Sequence, residues 1–147
     1  MFKKDETKAS GKLTVEIKDK HGKVKETREL ENLVVDTGLA FIASRMKDAT
    51  ATAMSHMGIG TGTAAAASGN TTLGTEAARV GLTSTTVTSN AVAYVCSFAA
   101  GTGTGAITEA GILNGASGGT LLCRTVFSVV NKGASDSMTI TWTVTIS

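Results

Sequence analysis

The chain has no proline, two cysteines, two histidines, and one tryptophan and one tyrosine among its 147 residues. Its scarcest feature is charge, and the shortage is local. Residues 49–147 carry six charged side chains, Glu76, Arg79, Glu109, Arg124, Lys132 and Asp136, whereas the first 48 residues carry the other twenty. An ordinary soluble domain has about a quarter of its residues charged. A 99-residue stretch this poor in charge and rich in Thr, Ser, Ala and Gly makes a solvated surface only with hydroxyls. It also lacks a cluster of groups suited to acid–base, metal or nucleophilic chemistry. Both points favour a subunit that packs against neighbours over an enzyme.

The other absences narrow the field further. Eleven basic residues against nine acidic ones in residues 1–48 give no one-sided basic face for nucleic acid. No apolar run approaches the roughly 18 residues that would suggest a membrane span. The N-terminus lacks a signal-peptide core, so the expectation is synthesis in a reducing cytoplasm, with Cys96 and Cys123 as buried thiols rather than a disulfide. His21 lies in a turn and His56 has no carboxylate or cysteine at ligand spacing, so no metal is expected. The absence of proline removes one of the usual protections of edge strands.

What remains reads as strands. Leu13, Val15 and Ile17 alternate with polar neighbours, and Asp19 to Gly22 supplies a turn into a second strand from Val24 to Leu30, followed by a short apolar link. Asp36 or Thr37 caps a single helix whose Leu39, Ile42, Ala43 and Met46 share one face, which is expected to be apolar and inward. Strands then follow around Met54–Ile59, 80–88, 92–98, 107–113 and 121–127. In a further, final strand Met138, Ile140, Trp142, Val144 and Ile146 face a core, and four threonines face away. The expected fold is mainly β: an antiparallel β-sandwich or jelly-roll-like domain with one short α-helix. The expected organisation is a flexible arm over 1–10, a charged hairpin plus helix over 11–48, and a low-charge sandwich over 49–147.

The run Gly58-Ile59-Gly60-Thr61-Gly62-Thr63 invites a phosphate-loop reading but lacks the Gly-Lys-Ser/Thr ending that such a loop needs. It and the Gly101–Gly105 run are assigned to turns or loops. Neither catalytic residues nor a cofactor site are expected. The charged residues of the apolar region need partners, because an unpaired buried charge is costly. Arg79 or Arg124 is expected to pair with Glu76 or Glu109, within or across subunits, fixing register.

Several segments together carry a family resemblance. They are Gly60-Thr-Gly-Thr63, Leu73-Gly-Thr-Glu-Ala-Ala-Arg79, Gly101-Thr-Gly-Thr-Gly-Ala-Ile-Thr-Glu-Ala-Gly-Ile112, Gly119-Thr-Leu-Leu-Cys-Arg-Thr-Val-Phe-Ser128 and Ser135-Asp-Ser-Met-Thr-Ile-Thr-Trp-Thr-Val-Thr145. The pattern resembles small virion structural proteins of tailed bacteriophages, the head decoration (cement) or tail-associated proteins. The resemblance implies a β-rich subunit present in many copies, a homo-oligomer such as a trimer, seated on the major capsid protein at the capsid exterior. The N-terminal arm, with Phe2, Lys3, Lys4 and Lys8, would then reach capsid subunits. The alternatives are a tail fibre, adaptor or baseplate subunit contacting tail proteins and, further off, a carbohydrate-binding receptor module. That last reading needs exposed aromatic platforms, yet Trp142 and Tyr94 fall at inward-facing positions.

Overall fold

Period-two alternation is realised in full by the last strand: from Met138 to Val144 every second side chain is buried, and the intervening threonines face outward. The same rule, repeated along the chain, gives nine antiparallel strands and one helix in a computed structural model that describes residues 8–47 and 51–147. In chain order these are β1 (Ala9–Lys18), β2 (Val24–Val34), α1 (Asp36–Lys47), β3 (His56–Gly60), β4 (Glu76–Gly81), β5 (Ser84–Thr88), β6 (Ala91–Phe98), β7 (Gly105–Leu113), β8 (Leu121–Lys132) and β9 (Ser137–Ile146).

The strands form one ladder in the order β4-β3-β7-β8-β2-β1-β9-β6-β5, which curls so that its two halves face each other. The turn between halves is made by β2. Along most of its length it pairs with β1, from Lys18↔Val24 to Gly11↔Asn32, but its end, Leu33 and Val34, pairs with Arg124 and Cys123 of β8. The segment read from sequence as an apolar link is therefore strand, and it carries the ladder across the fold. On the opposite side the chain crosses back between β4 and β5, where the Leu82 N–H donates to Ser55 O and the Thr83 N–H to Val95 O.

One core lies between the halves. Leu13, Val15, Ile17, Phe98, Ile140 and Trp142 enter from one side, and Met57, Ile59, Ile107, Ile112 and Val130 from the other, all essentially inaccessible. Each such side chain contributes about 1.5–3 kcal/mol of burial free energy. Because β1 and β2 sit in the middle of the ladder and share this core, the division at residue 48 is a change in surface composition and not a structural boundary. The charges of 11–48 lie mostly on the outward-facing positions of strands whose inward positions match those of the remainder.

Two further expectations are corrected. Ala9 and Ser10 are strand, paired with Ile146 and Thr145, and Lys8 exchanges backbone hydrogen bonds with Ser147, so the arm does not extend to residue 10. Phe2, Lys3 and Lys4 lie outside the described residues. The helix presents a different face from the one its spacing suggested: Gly38 is buried and Phe41 and Ile42 pack against the core, while Leu39, Ala43 and Met46 are exposed, Met46 at 85%. Gly38 is responsible. A Cβ on it would lie 2.0 Å from Leu122 O, so the helix can approach β8 this closely only along its glycine.

Candidate functional site

The charged residues of the low-charge region are gathered into internal contacts. Glu109 on β7 and Arg124 on β8 are both buried, with Arg124 Nε donating to Glu109 Oε1 at 3.1 Å. Glu109 also accepts three backbone N–H bonds, from Gly62 at 2.6 Å and from Gly74 and Thr75 at 2.7 Å. The rest of the Arg124 guanidinium reaches Asn70 Oδ1 at 2.9 Å and Ala64 O at 3.1 Å. All these partners lie on the long connection between β3 and β4, residues 61–75. A loop of that length without regular structure is uncommon in a compact domain; here a buried ion pair anchors it at both ends and in the middle.

Two of the glycines that suggested a phosphate cradle, Gly60 and Gly62, serve this carboxylate. Gly58 and Gly60 lie in β3 rather than in a loop, with β4 on one side and β7 on the other. A Cβ on Gly60 would lie 2.2 Å from Thr75 O, and one on Gly62 would lie 2.2 Å from Glu109 Oε2. Only glycine lets the backbone close around an internal anion here, as backbone N–H groups do around phosphate elsewhere. The second run, 101–105, is a turn as expected, ending where β7 begins.

Electrostatically the arrangement fixes a charge. Burial pushes the Glu109 carboxyl up, but the N–H donors from Thr75, Gly74 and Gly62, together with Arg124, outweigh it and hold the group below the usual carboxylate range. An acid so thoroughly hydrogen-bonded is a poor proton donor or acceptor near neutrality. Glu76 and Arg79 pair on β4, 2.7 Å apart, and Arg79 Nη1 also donates to Gly115 O and Gly118 O, clamping the β7–β8 loop. Both acid–base pairs thus form within the chain, and each pins a loop.

Sequence reasoning passed over a third cluster. Lys132 is buried and donates to Ala99 O and Asp136 O, and Asp136 accepts from Lys25 Nζ at 2.8 Å and from the Gly133 N–H. Burial lowers the Lys132 pKa, opposed by Asp136; Lys25 chiefly, with the Gly133 N–H, lowers that of Asp136. A lysine at a strand end next to a Gly-Ala-Ser turn gives no sequence signal of burial.

Both cysteines are buried free thiols, as expected, with burial pushing Cys96 up to about 11 and Cys123 well above its ordinary value. Such thiols stay protonated at neutral pH and are weak nucleophiles. His56 shares a 2.7 Å contact with Ser55 Oγ, and among the described residues no three His, Cys, Asp or Glu side chains converge as for a metal. Among the described residues no helix is long and apolar enough to cross a membrane.

Two outward features remain. The face of β1 and β9 is lined with hydroxyls, Thr14, Thr141, Thr143 and Thr145 among them. Among the described residues the ladder ends in β5, Ser84-Thr-Thr-Val-Thr88, whose five residues are all exposed, Val87 at 71%, and which there pairs only with β6. No family model, no curated protein and no solved structure matches this chain.

Proposed function

We propose that the chain is a non-enzymatic structural subunit of a tailed-phage virion, acting as a capsid decoration protein that self-associates and braces the outer shell. The observation that carries this reading is the β5 edge. It offers five exposed residues with no charge, no proline and no bulge, the features by which sheets ordinarily discourage pairing with another chain. A subunit used in many copies gains from such an edge, since closed symmetric assemblies are built on repeated identical contacts. Consistent with this, Glu109, Arg124, Lys132 and Asp136 are spent on internal bracing, and the adjoining sheet face presents threonines.

The carbohydrate-module reading has little to stand on. Trp142, Tyr94, Phe98 and Phe127 are buried and Phe41 packs against the core, so none of the described aromatics makes an exposed platform.

The test has two parts. The mass of the purified chain by light scattering, with and without Val87→Lys, is expected to show an oligomer that the variant reduces to monomers of unchanged thermal stability. Shells of the encoding phage that lack the subunit are expected to take it up in many copies per particle. A monomeric wild-type chain that leaves shells bare overturns the proposal, and a few copies confined to tails replaces it with the tail-component reading.

A further inference from the structure

A cavity of about 330 Å³ opens where the two halves of the sheet diverge, between α1 and the β5–β6 hairpin. It continues the core outward. Its wall is nearly all hydrocarbon, from Ile42, Met54, Val87, Val92, Val144 and Ile146. Ligand sites have this character: concave, mostly apolar, and furnished with a few polar groups that fix orientation. The polar residues here are Arg45 of α1, Tyr94 of β6, Thr85 of β5 and Asn90 of the β5–β6 turn.

The polar end has unused hydrogen-bonding capacity. The guanidinium of Arg45 stacks over Phe41, 5.7 Å from the ring centre, and one of its nitrogens donates to Ala51 O. Its remaining N–H groups have no acceptor among the described residues. Tyr94 is only 7% exposed and lines the cavity, yet its hydroxyl makes no hydrogen bond among the described residues. That hydroxyl is not one of the buried polar atoms left without a partner, so it opens onto the cavity and is free to meet a ligand there. Burial pushes its pKa up to about 12, so the phenol stays protonated and able to donate, and Arg45 lines the same cavity.

We propose that this cavity binds a medium-chain aliphatic carboxylate, with the head group accepting from Arg45 and the Tyr94 hydroxyl and the alkyl chain lying over the paired Val92 and Val144 side chains. Charge complementarity selects the head: a carboxylate takes the fork of a guanidinium and a phenolic O–H together. Volume selects the tail. A cavity of about 150 Å³ holds one benzene ring, so this one accommodates roughly a dozen carbons. The cavity shares Val87 with the β5 edge on which the virion reading rests, but its head-group contacts, Arg45 and Tyr94, lie off that strand, so decanoate binding and self-association succeed or fail separately.

Tyr94 is the only tyrosine in the chain, so its ring signals form a single reporter in an NMR spectrum of tyrosine-labelled full-length protein. Titration with decanoate is expected to shift these signals with one-to-one saturation. Arg45→Ala, at an exposed position, is expected to fold normally and to weaken decanoate at least tenfold. Decanol, with the same chain and no anionic head, is expected to bind at least tenfold more weakly than decanoate. Tyr94 signals unmoved at about 1 mM decanoate, a range that detects even very weak binding, overturn the proposal. So does equal affinity for decanoate and decanol, which would mean unspecific partition of alkyl chains.

Discussion

Removing the Glu109 carboxylate tests the central energetic argument. In Glu109→Ala the Arg124 guanidinium stays buried without its counter-ion, and the N–H groups of Gly62, Gly74 and Thr75 lose their acceptor together. Breaking a buried ion pair from one side costs about 3–5 kcal/mol, and each orphaned buried N–H adds about 1–3 kcal/mol if water does not reach it. The loop can relax and admit water to Gly74 and Thr75, so these do not add in full; a net loss of about 4–5 kcal/mol follows. That is a large share of the roughly 5–15 kcal/mol by which native domains are stable. At about 2–4 °C per kcal/mol for a chain of this size, the melting point falls by roughly 10–15 °C. Arg124→Met is the informative comparison. It leaves Glu109 with three backbone donors and fills the space, so its cost is about 2–3 kcal/mol, nearer that of losing one charged hydrogen bond. Urea unfolding followed by the fluorescence of Trp142, the single and fully buried tryptophan, reads both variants. A loss below about 1 kcal/mol for Glu109→Ala refutes the bracing argument. So does a larger loss for Arg124→Met than for Glu109→Ala.

The same carboxylate, with Asp136, sets the acid limb of stability. Both are held below their ordinary values, so between the folded and unfolded pKa values the unfolded chain binds protons that the native one does not. Their stabilisation is complete above about pH 5 and is lost as pH falls through the ordinary carboxylate range and then through the depressed native pKa values. The urea midpoint should fall from pH 6 to pH 3 with a shallower slope in Glu109→Gln; an undiminished slope in that variant contradicts the assignment. Gly38→Ala sets helix propensity against packing: alanine favours the helix by about 1 kcal/mol, but its methyl would meet Leu122 O, and overpacking costs about 1–3 kcal/mol. Net destabilisation by calorimetry is expected, and a raised melting point would show that α1 slides freely on β8.

What local sequence determined, it determined through the period of the backbone. Alternation over Leu13–Ile17, over 92–98 and over 138–146 follows from strand geometry alone, and it placed Trp142 and Tyr94 inward before any neighbour was known. The Asp19–Gly22 turn was legible for the same kind of reason: the Asp19 carboxylate caps the N–H groups of His21 and Lys23, and Gly22 takes a φ of 79°. The need for partners at Glu76, Arg79, Glu109 and Arg124 followed from their apolar setting. Which partner each would take did not, because Glu109 and Arg124 meet only once β7 and β8 pair and the 61–75 loop folds over them.

Tertiary structure alone decided the features that depend on two segments meeting. Helix periodicity nominated Leu39, Ala43 and Met46 for burial, but the backbone of β8 admits only a glycine, and that single close approach rotated the helix. The glycines at 60 and 62 look like a flexible loop in isolation; in the fold they make room for a carboxylate nearly fifty residues away. The charge step at residue 48 suggested two units, yet charge reports only the outward half of each strand, and the inward halves merge into one core. The cavity between α1 and the β5–β6 hairpin is bounded by residues spread from 41 to 146, so no sequence window contains it. Sequence fixes the period of a strand because the backbone enforces it; it leaves open where two strands will touch, because that is settled by the packing of the whole chain.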